Sequence, residues 1–334
     1  MRILNAIRSS KTGYKLSRRL LLSPLLTENK IYDRIYTKKI NKAINSLENS
    51  PPSTVEIGIT NACNSDCIMC PHSKLKNIGF MKSELFEKII DDCAKSGIKS
   101  VTLSFFGEAL LDKKLIEKIK YAKSKGLRVG FFSNASLMNE IWAHKLIESG
   151  LDYINISFDA YKKETYEKIR KGLSFEITRE NIKRLVELKK QLNSKTPAIN
   201  LAFVELTENQ GEIKDFYKDW KGKVQDINVL NMRNWAGQIG KESKSSFHFK
   251  SKDKRRPCSL IWQKMIVDWN GEVVLCCDDW NHSVVLGDLN KQTLMHVWNG
   301  EKLRKIRELH KKGEFNKIGI CSNCNKKTVW WLIG

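Results

Sequence analysis

At 334 residues the chain is too long for one small core, and one large domain with a smaller companion is the natural organisation. Lys and Arg number 59 against 37 Asp and Glu, a surplus of 22 positive charges that favours anionic partners such as nucleotides, sugar phosphates, nucleic acid or acidic lipid without choosing among them. Nine cysteines, an odd number at uneven spacings, argue against a secreted disulfide scaffold and leave metal binding or catalysis in a reducing compartment as their leading use.

Along the chain, "SRRLLLSPLL" at Ser17 to Leu26 mimics a twin-arginine export signal. Its apolar run is short and contains a proline; Glu28, Lys30 and Asp33 follow with no small-residue cleavage site, so a cytoplasmic protein without a membrane span is expected. Residues 1–53 form a basic, helix-patterned extension that ends at "SPPS", Ser50 to Ser53, where proline blocks helix continuation. Up to Ser50 it carries eleven Lys and Arg against three Asp and Glu, with apolar Leu20 to Leu22 beside Arg18 and Arg19; this arm is a candidate for peripheral contact with an anionic membrane, the alternative being a helix packed across the domain that follows.

From Thr54 short apolar runs alternate with helical ones. They are "TVEIGI", Ser83 to Lys95, "IKSVTLSFF", Lys113 to Lys125, "LRVGFFS", Met138 to Ser149, "LDYINISFD", Ile177 to Gln191, "AINLAFVEL", Glu208 to Trp220 and "VQDINVLNM". Strands and helices alternating through short connections predict a parallel sheet, barrel or open, with its ligand face at the loops after the strands. Residues 233–257 lose the rhythm and read as a Gly-, Ser- and Lys-rich linker. A second unit begins at Cys258 with a hairpin, "QKMIVDWNGEVVLCCDD", turning at Asn270-Gly271, and closes with "CSNC" at Cys321 to Cys324.

The stretch "TNACNSDCIMCPHS" places Cys63, Cys67 and Cys70 in the loop after the first strand, with three and two intervening residues, close enough to wrap one compact metal centre. Zinc wants a fourth ligand, for which His72 is at hand, whereas an iron cluster with one open, catalytic iron needs only three. Cys93 continues the apolar stripe of Phe86, Ile89 and Ile90 and is expected to be a buried small hydrophobe.

This three-then-two spacing resembles that of the radical S-adenosylmethionine (SAM) enzymes. The resemblance implies a partial (βα)6 TIM-like barrel over residues 54–232, a four-iron four-sulfur cluster on Cys63, Cys67 and Cys70, and SAM chelated to the open iron. Met69 then stands where the family packs a side chain on adenine. "FFGEALLDKKL" is similar to the family's Gly-Gly-Glu segment for the methionine ammonium, with Phe106 in place of the first glycine and Gly107 and Glu108 retained. "SNAS" and "SFDA" correspond to segments that contact ribose and carboxylate and give Asn134, Ser157 and Asp159; Arg170 in "KIRKG" matches an arginine used against the SAM carboxylate, the alternative being a surface cation.

Cys258, Cys276 or Cys277, Cys321 and Cys324 supply four thiols, enough for a structural zinc or a fully ligated iron–sulfur cluster. Cys258, twelve residues, Gly271, four residues, Cys276 resembles the opening of the SPASM and twitch extensions of radical SAM enzymes, over residues 258–326, before a tail at 327–334. The further cysteines of a full SPASM pattern are missing, which implies one auxiliary four-iron four-sulfur cluster on Cys258, Cys276, Cys321 and Cys324 and leaves Cys277 as a spare thiol or hydrogen-atom donor.

The resemblance implies an oxidoreductase that makes a 5′-deoxyadenosyl radical, abstracts hydrogen from a small, polar or anionic substrate (a sugar, aminocyclitol or nucleotide-sugar) and passes the electron to the auxiliary cluster, served by a flavodoxin- or ferredoxin-type donor. Trp235, Trp262, Trp269 and Trp280 are candidates for stacking on such a substrate, or core fillers. Alternatives are an epimerase using Cys277, a maturase of a ribosomally made peptide, and a zinc-stabilised binding protein. No specific nucleic-acid binding is expected, because the lysines are scattered instead of interleaved with aromatics.

Overall fold

The structure, a computed structural model, describes residues 30–238 and 255–324. Helix α1 (Lys30–Leu47) precedes β1 (Thr54–Ile57); the short β2 (Asp66–Cys67) follows, then α2 (Ser83–Lys95), β3 (Ser100–Leu103), α3 (Leu115–Ser124), β4 (Arg128–Ser133) and α4 (Glu140–Glu148). Next come β5 (Tyr153–Ser157), α5 (Lys163–Ile169), the short β6 (Arg170–Lys171), α6 (Phe175–Gln191), β7 (Ala198–Glu205), α7 (Ile213–Trp220) and β8 (Asp226–Asn231). The C-terminal part holds β9 (Lys264–Val267), β10 (Glu272–Val274), β11 (Val285–Asp288), α8 (Leu294–Trp298), α9 (Glu301–Lys312) and α10 (Gly319–Ser322).

The main sheet has the order β11-β10-β9-β1-β3-β4-β5-β7-β8, and its six strands from β1 to β8 are parallel, as crossover helices require. Alternate residues such as Val55, Ile57, Val101, Leu103, Phe131, Ile154, Ile156, Leu201 and Phe203 are buried in one continuous core, because the period of a strand sends every second side chain to the helix side. Cys93 on α2 is fully buried in that core, as its position in the stripe predicted. All six strands point their C-terminal ends the same way, so the loops after them gather at one edge.

The Asn270-Gly271 hairpin forms between β9 and β10, but it does not stand apart: β9 pairs parallel with β1, Val55 opposite Met265, and carries the barrel sheet into the C-terminal segment. A pairing across some two hundred residues leaves no local signal. Helix α1 lies against this C-terminal segment. Its Tyr36, Ile40 and Ile44 are buried, Arg256 bonds Asp33 at 2.8 Å and stacks over Tyr36, and Lys311 reaches Glu48 at 2.7 Å. Arg18, Arg19 and Leu20 to Leu22, on which the membrane expectation falls, lie outside the described residues. Among the described residues no helix is long and apolar enough to cross a membrane.

At the hairpin turn His282 bridges Asp268 (3.0 Å) and Glu272 (2.6 Å), and the Asp268 hydrogen bond first, then Glu272, lift its pKa from 6.5 to about 9. A raised folded-state pKa gives stability that is complete below the unfolded value near 6.5 and is lost as pH rises through about 9. Partial solvation reduces the gain to about 1–2 kcal/mol. The thermal midpoint of the anaerobic protein should therefore fall between pH 6.5 and 9, and His282→Gln should remove that slope; an equal slope in the variant would show that the bridge is not its source.

Candidate active site

Three loops converge at the C-terminal edge of the sheet. The cysteine loop after β1 is fixed along its length: Thr60 Oγ1 donates to Gly79 O (2.8 Å), Asn61 Nδ2 to Asn77 O (2.7 Å), and Met81 N to Ile59 O (2.7 Å). Cys67 sits in β2, which pairs antiparallel with β6, so Cys67 lies opposite Arg170. His72 Nε2 is engaged by the Asn61 carbonyl at 2.7 Å; it braces the loop instead of joining the thiols, which leaves a three-thiol set.

Gly107 is in the left-handed region at φ +97°, and a Cβ there would lie 2.7 Å from both the Thr60 and Ala62 carbonyl oxygens, so the loop after β3 rests directly on the cysteine loop. Glu108 N donates to Ala62 O at 2.7 Å. The Glu108 carboxylate is fully buried and accepts from Leu110 N (3.0 Å), Ser133 Oγ (2.8 Å) and Asn134 N (2.6 Å); burial raises its pKa and these donors oppose the rise. Asn134 in turn donates from Nδ2 to Asn64 Oδ1 at 2.9 Å. Glu108 and Asn134 thus knot the loops after β1, β3 and β4 together, with Asn64 as a third member that spacing did not single out.

Arg170 is buried, not a surface cation. Its Nε donates to Asp159 Oδ2 at 2.6 Å, Nη2 bonds the same oxygen, and Nη1 points at Cys67 Sγ, 3.6 Å away. The other Asp159 oxygen accepts Val204 N at 2.6 Å. Asp159 is fully buried with both oxygens committed, so it holds Arg170 toward the thiols and does not itself reach the open edge, contrary to the sequence expectation of direct contact. Ser157 stands half-buried at the end of β5, on the concave side of the sheet. Met69 is buried, and its carbonyl accepts the Trp235 indole N–H at 2.8 Å.

Burial pushes the Cys63 thiol up to about 11 and the Cys70 thiol up to about 12, with neighbouring thiolates adding to the shift and Arg170 opposing it. Such thiols give up protons only to a strong Lewis acid, and the cation at Cys67 compensates the charge three thiolates bring. The donor set, three thiols with no further protein ligand among them, fits a cluster that keeps one iron open.

The second thiol group lies in the C-terminal segment. Cys258 follows Pro257, and its N–H donates to Nδ1 of buried His310 at 3.2 Å. Cys321 is pushed up to about 12 by burial, then by Cys258 and Cys324; Cys276 is raised by burial, then by Cys277, Asp278 and Cys258. Cys258, Cys276, Cys321 and Cys324 therefore share one electrostatic neighbourhood. Cys277 also acts on Cys276 but is itself engaged by a cation: Arg233 Nη1 lies 3.2 Å from its sulfur and 3.0 Å from Asp278 Oδ1. Of the four tryptophans, Trp262 is a core residue, Trp269 covers Gly79, Trp280 is half-buried with its indole nitrogen inside, and Trp235 reaches the site.

Below the loops, the concave face of the sheet sets paired amides beside an exposed phenyl ring. Phe132, Asn155 and Asn200 are register partners across β4, β5 and β7, Asn200 Nδ2 donates to Asn155 Oδ1 at 3.1 Å, and the deeper Thr102 and Tyr153 hydroxyls meet at 2.7 Å. The signal was present in the alternation of "YINIS" and "INLA", where the apolar residues face the helices.

A fold of six parallel strands with a three-thiol loop after the first, and a four-thiol segment continuing its sheet, defines a class of enzyme. Residues 57–219 match the model of the radical SAM superfamily, and residues 258–325 match that of the SPASM iron–sulfur cluster-binding domain. The chain belongs to the radical SAM superfamily, with a C-terminal SPASM domain; its cofactors are SAM and 4Fe-4S clusters. It is 22% identical over 308 residues to the tungsten-containing aldehyde ferredoxin oxidoreductase cofactor-modifying protein of Pyrococcus furiosus, covering 79% of this chain and 85% of that one. It is 21% identical over 287 residues to the SAM-dependent 2-deoxy-scyllo-inosamine dehydrogenase of Niallia circulans, covering 83% and 94%. The fold is similar to that of Streptococcus suis SuiB bound to precursor peptide SuiA, with a TM-score of 0.68 at 14% identity over 87% of this chain and 75% of that one.

Proposed function

We propose that this radical SAM enzyme oxidises a carbinol of a small hydroxylated substrate, a sugar, aminocyclitol or nucleotide-sugar, to the ketone. The observation that carries this is the amide pair on the concave face: Asn155 and Asn200 hydrogen-bond one another and stand half-buried beside the register partner Asp226, with an amide N–H of Asn155 and the carbonyl of Asn200 unengaged among the described residues. Paired amides offer one donor and one acceptor side by side, which suits vicinal hydroxyl or amino groups. The likeness to an inosamine dehydrogenase supports the same class.

In this reading Cys63, Cys67 and Cys70 hold the SAM-binding cluster, and Cys258, Cys276, Cys321 and Cys324 hold the auxiliary one. When bound, these groups supply a 5′-deoxyadenosyl radical and an acceptor for one electron. Oxidation of the carbinol would remove one hydrogen atom, one proton and one electron; the SAM held beside Cys63, Cys67 and Cys70 would supply the acceptor of the first, solvent would take the second, and the cluster held by Cys258, Cys276, Cys321 and Cys324 would supply the acceptor of the third. Gly107 and Ser157 would line the SAM side, Glu108 and Asn134 would hold the loops around it, Arg170 would place its charge beside Cys67 with Asp159 behind it, and Met69 would stand on the adenine side.

The test is a panel of aminocyclitols, sugars and nucleotide-sugars incubated anaerobically with SAM and reductant. The expected product is lighter by two hydrogens, formed one for one with 5′-deoxyadenosine. Asn155→Ala and Asn200→Ala should each lower kcat/KM for that substrate about 10–100-fold, while substrate-free SAM cleavage is unchanged. Unaltered kinetics in both variants would remove the amide row from the substrate site. The engagement of Cys277 by Arg233, at the border of the thiol neighbourhood, supports a second reading, epimerisation with Cys277 as hydrogen donor. It predicts product of unchanged mass that gains one deuterium in heavy water and disappears in Cys277→Ala.

A further inference from the structure

Residues 233 to 237, at the start of the segment whose sequence reads as a linker, touch both thiol groups. Trp235, Ala236 and Gly237 are left-handed in succession, at φ +49°, +58° and +81°. Two of the three are not glycine, and such backbone persists only where the surroundings over-determine it. The surroundings here are specific. Arg233 bonds Cys277 and Asp278, and its guanidinium lies 5.9 Å from the Trp235 ring centroid. Asn234 Nδ2 donates to the carbonyl of Asn323, between Cys321 and Cys324, at 2.9 Å, and a Cβ on Gly237 would stand 2.5 Å from the Asn323 Cβ. Trp235 turns the opposite way: its indole N–H holds the Met69 carbonyl at 2.8 Å, and its ring packs on Phe106 with centroids 5.5 Å apart.

We propose that Trp235 is a positioning residue for SAM: it fixes the Met69 segment of the cysteine loop, and residues 233–237 tie that position to the packing of the Cys321–Cys324 turn. The inference rests on the assignment of the SAM loop and is independent of the substrate. Its physical basis is that one short, strained segment bonds to both loops, so loosening either end lets the other relax. Coupling of this kind is a free energy shared between two sites and is measured as non-additivity.

The experiment is SAM titration of the reduced protein, followed by the electron paramagnetic resonance signal of the three-cysteine cluster. Trp235→Phe keeps the ring and loses the N–H donor. It should raise the SAM dissociation constant about fivefold, with iron content unchanged and the rate of SAM cleavage at saturation within about twofold of wild type. Asn234→Ala, which releases the other end without touching either thiol loop's side chains, should raise it by a smaller factor. The Cys321→Ala/Cys324→Ala variant should also weaken SAM, and adding Trp235→Phe to it should weaken SAM no further. Wild-type affinity in both Trp235→Phe and Asn234→Ala overturns the proposal. So does a combined variant in which the effects multiply, which would make Trp235 a wall of the pocket with no link to the auxiliary turn. Failure of the wild type to turn over any aminocyclitol, sugar or nucleotide-sugar, with the Trp235→Phe loss of SAM affinity present, would count against the substrate reading alone.

Discussion

Anaerobically reconstituted wild-type protein should carry about eight iron and eight acid-labile sulfide per chain, and Cys258→Ala/Cys321→Ala should carry about four of each, since each cluster holds four. The converse variant, Cys63→Ala/Cys67→Ala/Cys70→Ala, should also carry about four and lose SAM cleavage altogether. The structure makes the two losses separable. The first thiol group hangs from β1 and is braced by Asn61, Asn64, Glu108 and Arg170; the second is built from the β10 end, the α10 turn and Cys258. Cys277 is turned to Arg233, so Cys277→Ala should leave eight iron in place and Cys276→Ala should not. About four iron with one zinc in the wild type would make the C-terminal group structural and would withdraw the electron acceptor from the proposed oxidation. Redox-neutral chemistry would then be the better account.

Much of this was legible in the sequence, for reasons that also mark the limits. The helix expected over Ser83 to Lys95 has those bounds because four apolar positions at helical spacing face one core. The cysteine loop was legible because three thiols in eight residues have few structural uses. Helix α5, seven residues ending against Arg170, was not anticipated, since so short a segment shows no stripe. The inward turn of Asp159 was equally hidden: nothing local indicates that its carboxylate meets Val204 N and a guanidinium eleven residues on. In the sequence Arg170 reads equally as a surface cation or a site residue, and only the β2–β6 pairing places it opposite Cys67. The role of Trp235 depends on its bond to Met69, 166 positions earlier, and on the bond of its neighbour Asn234 to Asn323, 89 positions later, distances no sequence pattern spans.

A single added methyl tests whether the loop after β3 does what its contacts imply. Gly107→Ala combines two penalties. The left-handed backbone costs an L-residue about 1–2 kcal/mol. The added Cβ would also lie 2.7 Å from two carbonyl oxygens that have no room to retreat, because Thr60 and Ala62 are tied to Gly79 and Glu108. Gly126 supplies the control, since at φ +77° it carries the same backbone strain with nothing within 4 Å of its Cβ. Gly126→Ala should therefore lose about 1 kcal/mol of stability and bind SAM as wild type does. Gly107→Ala should lose about 3–5 kcal/mol, the extra coming from displacement of one loop against the other, and its SAM affinity should fall at least about 100-fold. Equilibrium unfolding and SAM titration of the two variants, side by side, separate strain from collision. If Gly107→Ala behaves like Gly126→Ala in both measurements, the close approach of the two loops is dispensable, and the knot formed by Glu108, Ser133 and Asn134 must alone hold the SAM site in shape.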